Sequence, residues 1–463
     1  MKRGWLAGWI GVFFTALVVA ISAADPGVTL IGTGFIPGNA LDLSGLAGQP
    51  ICQRDDVTVC IDQATLGGLG SGVTYTGFNS VFLATPDRGP FDGRTNVPYR
   101  DRFHLLHITV DTAATSFPNI NVALLKTRFL KDEWRRTFVG DAYAFDTSSP
   151  FRTLRFDPEA VAMSPLGNFF VSDEYGPYVR EFDRTGHLIR RIPLPKKFRL
   201  DPVNGHPSGD VDTGGTSLEL QPTFNVTGRQ ANRGMEGLTI TPSGRTLGGI
   251  MQNALLQDHA LDPALSRVGV NNRIVTIDLL TGRTHECVYV MDAVNQGRGV
   301  NEMLALNEHE FLVLERDNRS LRPTPPNTAQ SPNLKRIYRI DLAKPGLTDV
   351  SDIDGLPQGV LDPGIVPVTK RRFIDLLDPA YRVSATQTIK DVIAEKIEGM
   401  AWGPKLTDGR LVLYVFSDND LLPDLPTQIY AFAIDAAAAD ITYRPQTVLL
   451  PVLWPWELPR GLK

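Results

Sequence analysis

Acid-centred triplets recur in this chain at matched places, each leading into a strand-like run that ends in acid or amide side chains. They are Asp157-Pro158-Glu159 ahead of Val171-Ser172-Asp173-Glu174, and Met235-Glu236-Gly237 ahead of Met251-Gln252-Asn253. Two more are Asn301-Glu302-Met303 ahead of Leu314-Glu315-Arg316-Asp317, and Ile397-Glu398-Gly399 ahead of Phe416-Ser417-Asp418-Asn419-Asp420. A fainter copy without the leading acid runs from Gly72-Val73-Thr74-Tyr75 to Ala84-Thr85-Pro86-Asp87-Arg88. Carboxylates, amides and backbone carbonyls are the ligands calcium takes, about six to eight at a time. We therefore expect Glu159, Asp173, Glu174, Glu236, Glu302, Glu398 and Asp418 to converge on a divalent cation, calcium first. Arg88, Arg233, Arg298 and Arg316 lie at the same level, and acids mixed with guanidinium groups suit an anionic oxygen ligand held by a cation plus Arg forks. In that reading the catalytic group is Glu174 and Glu236 with Arg88 and Arg316: a carboxylate as base and an arginine steadying developing charge. The plainer reading is that an acid ahead of Gly is a turn device bonding backbone N–H groups. Arg233 and Arg316 are then partners of the acids rather than of a ligand.

These residues need elements that bring them together. One supersecondary unit recurring along a chain marks a repeat architecture, and strand-rich units of this size suggest propeller blades. Each unit has an acid-led strand pair joined by a turn such as Ser164-Pro165-Leu166-Gly167 or Thr241-Pro242-Ser243-Gly244. An alternating outer hairpin follows, as in Arg273-Ile274-Val275-Thr276-Ile277-Asp278. Two hairpins make four strands, which is one blade. The leading positions are spaced more widely than a minimal blade of about 40–45 residues. The fold class is thus all-β, a single β-propeller of about six four-stranded blades, with five or seven possible. Residues 120–129 and 365–377 are candidate hidden strands. Residues 28–61 can supply a strand that closes the ring, and the apolar, Pro-containing residues 448–458 read as an edge strand. Residues 201–227 and 319–334 read as loops over one face.

The formal charge of −5, with no long Lys/Arg block, excludes a typical nucleic-acid partner. Met1-Lys2-Arg3, an apolar run to Ala20 and Ser22-Ala23-Ala24 form the layout of a signal peptide over residues 1–24. The mature domain is then 25–463, secreted or periplasmic, without a membrane span and expected to be a monomer. In an exported chain Cys52 and Cys60 are expected to form a local disulfide, and Cys287 a buried free thiol. No Gly-x-Ser-x-Gly elbow, His-Glu-x-x-His helix or phosphate-cradling Gly-x-x-x-x-Gly-Lys loop occurs.

The stretches Ser172-Asp173-Glu174-Tyr175-Gly176-Pro177, Glu236-Gly237-Leu238 and Glu398-Gly399-Met400-Ala401-Trp402-Gly403-Pro404, in that order, resemble the phytase-like domain family, also described as esterase-like activity of phytase. The likeness covers about 72–432, and Asp420-Leu421-Leu422 departs from it where Asn-Phe is usual. It implies a secreted or periplasmic propeller and phosphoester hydrolysis. The expected function is a calcium-assisted hydrolase of phosphoesters or other small esters at one end of the channel. The alternatives are a non-catalytic cell-envelope binding propeller with structural calcium, and a lactonase-like calcium propeller.

Overall fold

The computed structural model describes residues 25–141, 144, 153–176, 178–199, 226–292, 298–323, 327–453 and 457–458. The expected leader at residues 1–24 and most of the expected loop at 201–227 lie outside the described residues.

In chain order the strands are β1 (Val28–Ile36), β2 (Pro50–Cys52), β3 (Cys60–Asp62), β4 (Gly72–Tyr75), β5 (Val81–Thr85), β6 (Arg102–Val110), β7 (Ile120–Phe129), β8 (Pro158–Met163), β9 (Phe169–Asp173), β10 (Tyr178–Phe182) and β11 (Leu188–Pro193). They continue as β12 (Met235–Ile240), β13 (Thr246–Met251), β14 (Asn271–Asp278), β15 (Thr284–Val290), β16 (Gly299–Ala305), β17 (Glu310–Arg316), β18 (Lys335–Asp341), β19 (Lys370–Asp375), β20 (Lys396–Trp402), β21 (Leu411–Asp418) and β22 (Thr427–Ile434). Four consecutive antiparallel sheets are β4–β7, β8–β11, β12–β15 and β16–β19, and the fifth is β20–β22 completed by β1. The amino-terminal strand thus becomes the outermost strand of the last blade, running from Val28 opposite Ile434 to Ile36 opposite Thr427. Each sheet's first strand lies inside and touches the first strand of the next blade, so β4, β8, β12, β16 and β20 close a ring.

The described residues form five blades, within the range of five to seven that the sequence allowed. Ile120–Phe129 and Lys370–Asp375, the candidate hidden strands, are the outermost strands β7 and β19 of blades already counted, and the remaining length goes into connections. The inner strands are largely buried, β8 and β12 along their whole length. The outermost β11 is exposed at three of its six positions. Burial on both faces follows from blades stacked face to face, with an apolar layer between each pair. Phe103 and Leu105 meet Phe169 and Val171 across one such layer, and Met235 and Leu238 meet Phe170 and Val179 across another. The turns behave as the Pro and Gly positions dictate: Gly167 and Gly244 take φ of 81° and 73° and donate to Ser164 and Thr241.

Only short 3₁₀ turns interrupt the strands among the described residues, and no helix there is long and apolar enough to cross a membrane. Residues 448–453 form no strand. Pro445 and Pro451 offer no N–H to a ladder, and Val452, Leu453 and Leu458 bury instead against Phe103 and Phe169. Cys52 and Cys60 are opposite residues of the β2–β3 hairpin and are bonded, with Cα atoms 4.0 Å apart. Cys287 is buried and free.

Candidate functional site

The inner strands carry the acids because each is distorted at the same place. In β12, Met235 faces Met251 and Gly237 faces Ile250, leaving Glu236 as the extra residue of a bulge. In β20, Glu398 is the extra residue between Ile397 and Gly399, and in β8 Glu159 and Ala160 fall between the paired Pro158 and Val161. A bulge re-aims the extra side chain and bends the strand, here toward the axis. The glycine after the acid is a packing requirement. A Cβ on Gly237 would lie 2.7 Å from the Met303 nitrogen, and one on Gly399 would lie 2.7 Å from the Gly70 carbonyl oxygen.

In β16 the register differs from the sequence expectation by one residue. Val300 faces Glu315 and Glu302 faces Leu314, so the extra residue is Asn301. Glu302 falls one step further along the channel, where its carboxylate accepts the N–H groups of Leu238 and Met303 at 3.2 and 2.8 Å. Burial raises its pKa well above the usual carboxylate range, with those N–H groups acting against the rise.

At the bulge level one end of the channel opens into a polar cavity of about 160 Å³. Its walls include Glu159, Glu174, Glu236, Glu398 and Asp418, together with Arg88 and Arg316. With Arg233, also on this wall, eight of the residues nominated from the sequence meet here. Asp87, Asn232, Arg233, Gln252 and Lys396 complete much of the lining. Asp173 and Glu302 are not part of it. Asp173 pairs with the buried Arg180 and accepts the N–H groups of Asp157 and Tyr175, both at 3.1 Å.

Oxygens of Asp157, Glu159 and Glu174 lie within 4.8 Å of one another, as do oxygens of Asp87, Asp418 and Asp420. The cations are unevenly distributed among these acids. Arg88 pairs with Asp157, with Glu174 at 3.1 Å and with Asp92 at 3.2 Å. Arg316 pairs with Glu398, and Lys396 with Asp420. Glu159 and Glu236, each about one-twentieth exposed, have neither a hydrogen-bond donor nor an ion-pair partner among the described residues. Their pKa values stand well above the usual carboxylate range, first from burial, then from neighbouring acids: Glu236 acts on Glu159, and Glu174 and Glu398 act on Glu236. Asp418 is raised by burial and then by Asp420, and Asp87 is pushed up to about 7, first by burial. Two neutral oxygens on the same wall, Gln252 Oε1 and Asn232 Oδ1, are buried without a hydrogen-bond partner among the described residues. Carboxylates with no donor beside unpartnered amide oxygens make the donor set a hard cation takes.

Asp157, Gln252 and Lys396 were findable from sequence as the residues flanking the repeated strands. Asn232 was harder, since it sits in the turn before β12, outside the repeated strands. The channel's other end holds a larger, mostly apolar cavity of about 340 Å³, walled by inner-strand residues such as Met163, Ile240 and Trp402 and bordered by Tyr443 to Val448.

A family model described as "Phytase-like: Esterase-like activity of phytase" matches residues 64–421. The "Uncharacterized secreted protein" of Arthroderma benhamiae is 29% identical over 405 residues, which are 75% of this chain and 75% of that protein. A luciferin-regenerating enzyme structure covers 87% of this chain and 100% of its own at 10% identity and a TM-score of 0.31. A nidogen/laminin complex structure covers 85% of this chain and 88% of its own at 9% identity and a TM-score of 0.29. At those scores neither structure adds to the fold read from the strand pairing.

Proposed function

The chain belongs to the phytase-like family, and on that premise we propose that it is a secreted hydrolase of phosphoesters or other small esters, assisted by calcium at the acidic end of its channel. The observation that carries the reading is the pair Glu159 and Glu236, buried carboxylates that face the cavity with no donor. Like charges gathered in a desolvated site are costly unless a cation occupies it. Asp157, Glu159 and Glu174, with the Gln252 and Asn232 amide oxygens, would hold that cation. Glu236, Glu398 and Asp418 border the same space. When bound, the cation supplies Lewis-acid stabilisation of charge developing on a phosphoryl or carbonyl oxygen.

The chain's own groups do the rest. Glu236, without a hydrogen bond to hold it, accepts a proton from the attacking water. Glu174, fixed by the Gly234 N–H at 3.0 Å and by Arg88, keeps the first wall in place. Arg88 and Arg316 steady developing negative charge from either side, each retaining an Nε without a partner. Asp173 acts as a positioning residue, holding the β8–β9 end through Arg180 and two N–H groups. Glu302 braces the inner strands at the next level.

One observation favours a second reading, a binding propeller with structural calcium: Arg88, Arg316 and Lys396 already pair with acids of the chain. The secreted character of the fungal relative fits both. Assay of the mature chain on phosphomonoesters, carboxyl esters and lactones, in calcium and in chelator, separates them. The hydrolase reading expects calcium-dependent turnover of at least one ester class. No turnover of any class leaves the binding propeller.

A further inference from the structure

We infer that Arg233 is the residue that recognises the anionic oxygen group of the ligand at the acidic cavity, a specificity role no repeated motif announces. The inference rests on the reading of that cavity as a ligand site and adds to it the chemical group recognised. Arg233 lines the cavity with Glu174 and Glu236, yet among the described residues it forms no ion pair. Its single hydrogen bond runs from Nη1 to the carbonyl oxygen of Asn232 next to it, leaving most of the five guanidinium N–H donors unused. Every other cation on this wall that the chain employs is matched to an acid: Arg88 to Asp157, Arg316 to Glu398, Lys396 to Asp420.

The backbone under Arg233 is fixed, so the open side chain is not a consequence of a loose loop. Arg233 bridges to Gln230, and the Gly234 carbonyl accepts the Gln252 N–H at 2.8 Å. Gly234 N–H donates to Glu174 Oε1 at 3.0 Å. A Cβ on Gly234 would lie 2.7 Å from the Glu174 Cα, so only glycine lets this turn sit against Glu174 and carry Arg233 to the cavity wall. Asn232, just before it, takes a left-handed φ of 51°, a conformation Asn adopts more readily than most residues. The chain thus commits a glycine and a left-handed asparagine to placing one guanidinium beside Glu174 and Glu236, which attract it across the cavity without closing an ion pair among the described residues. A half-buried cation with its donors left open is costly to the folded protein, and a planar fork of donors is the group that takes two oxygens of a phosphate or carboxylate. A cation held by the acids and Arg233 on the adjoining turn would grip the same anion from two sides.

The test is calorimetric titration of inorganic phosphate, and separately of acetate, into calcium-loaded wild type, Arg233→Gln, Arg233→Lys and, as an exposed control, Arg382→Gln. Arg233→Gln should weaken binding of the preferred probe at least about tenfold, the fold-change of one lost charge-assisted hydrogen bond. Arg233→Lys should recover part of the loss and Arg382→Gln should bind as wild type. Phosphate above acetate identifies a tetrahedral oxyanion as the group recognised, and the reverse a carboxylate. Arg233→Gln should also melt at or above the wild-type temperature in the ligand-free protein, because no ion pair is lost. Equal binding by wild type and Arg233→Gln overturns the inference, as does wild type that binds neither probe, or an Arg233→Gln variant that melts lower. Loss of phosphate binding in Arg233→Gln alongside a wild type that hydrolyses no ester would refute the hydrolase and leave the inference standing.

Discussion

Replacing Asp173 by Asn separates a ligand role from a scaffold role at a residue whose sequence context permits either. Its carboxylate and the Arg180 guanidinium are each 1% exposed as side chains and pair directly. Removing one charge from such a pair leaves the other buried and uncompensated, at a cost of about 3–5 kcal/mol. Arg180 lies with its Cζ 4.2 Å from the Phe156 ring centroid and 5.1 Å from that of Phe138. Those ring faces offset part of the loss, which places the expected cost toward about 3 kcal/mol. Asn retains an oxygen for the N–H groups of Asp157 and Tyr175, whereas Asp173→Ala loses both bonds and should cost about 1 kcal/mol more for each. The double variant Asp173→Asn with Arg180→Met removes both charges and leaves an apolar chain between two phenylalanines, so it should recover much of the stability. Urea unfolding of chelator-treated protein measures all three. The calcium response of Asp173→Asn should persist, since Asp173 does not line the cavity. An Asp173→Asn protein as stable as wild type in chelator, but deaf to calcium, would refute this reasoning and make Asp173 a ligand.

Glu159 and Glu236 titrate in the folded protein above their usual 4.5. Stability from such groups is present below the unfolded value and lost as pH rises through the folded one. Chelated protein should therefore lose stability from about pH 4.5 upward, and Glu159→Gln with Glu236→Gln should flatten that slope in a set of urea curves. Cys52→Ser with Cys60→Ser should lower stability by about 2–3 kcal/mol, the scale for closing a short loop, measured against the oxidised wild type. Cys287, its thiol pushed up to about 12 by burial, should resist thiol reagents in the native protein and titrate as one group in denaturant.

The sequence carried the architecture further than the site. Two-hairpin units with period-two patterning reveal blades because each blade is a local sheet whose strands follow one another in the chain. The blade count was less legible, since β7 and β19 are strands that look like the start of something new when their partners are unknown. Glu159, Glu236 and Glu398 could be grouped because bulges put each beside a glycine or small residue. Glu302 resembled them in sequence but is displaced by one residue, as the β16 bulge falls on Asn301, and nothing local fixes where a bulge falls. Asp173 and Glu174 are adjacent, yet strand alternation sends one to Arg180 and the other to the cavity. Arg233 was legible only as a cation at the right level. That no acid among the described residues closes an ion pair with it depends on where Glu398 and Asp157 find their partners, which is a tertiary fact.

Occupancy of the buried acids at the channel end by a cation must stabilise the folded protein. Its most direct test is the melting temperature of the purified protein in excess chelator and in millimolar calcium, for wild type and for Glu159→Gln with Glu236→Gln. Binding to the folded state alone at a hundred times the dissociation constant stabilises by about 2.7 kcal/mol. The account predicts a clear rise with calcium in wild type that is absent in the double variant. Identical wild-type melting in chelator and in calcium would contradict it.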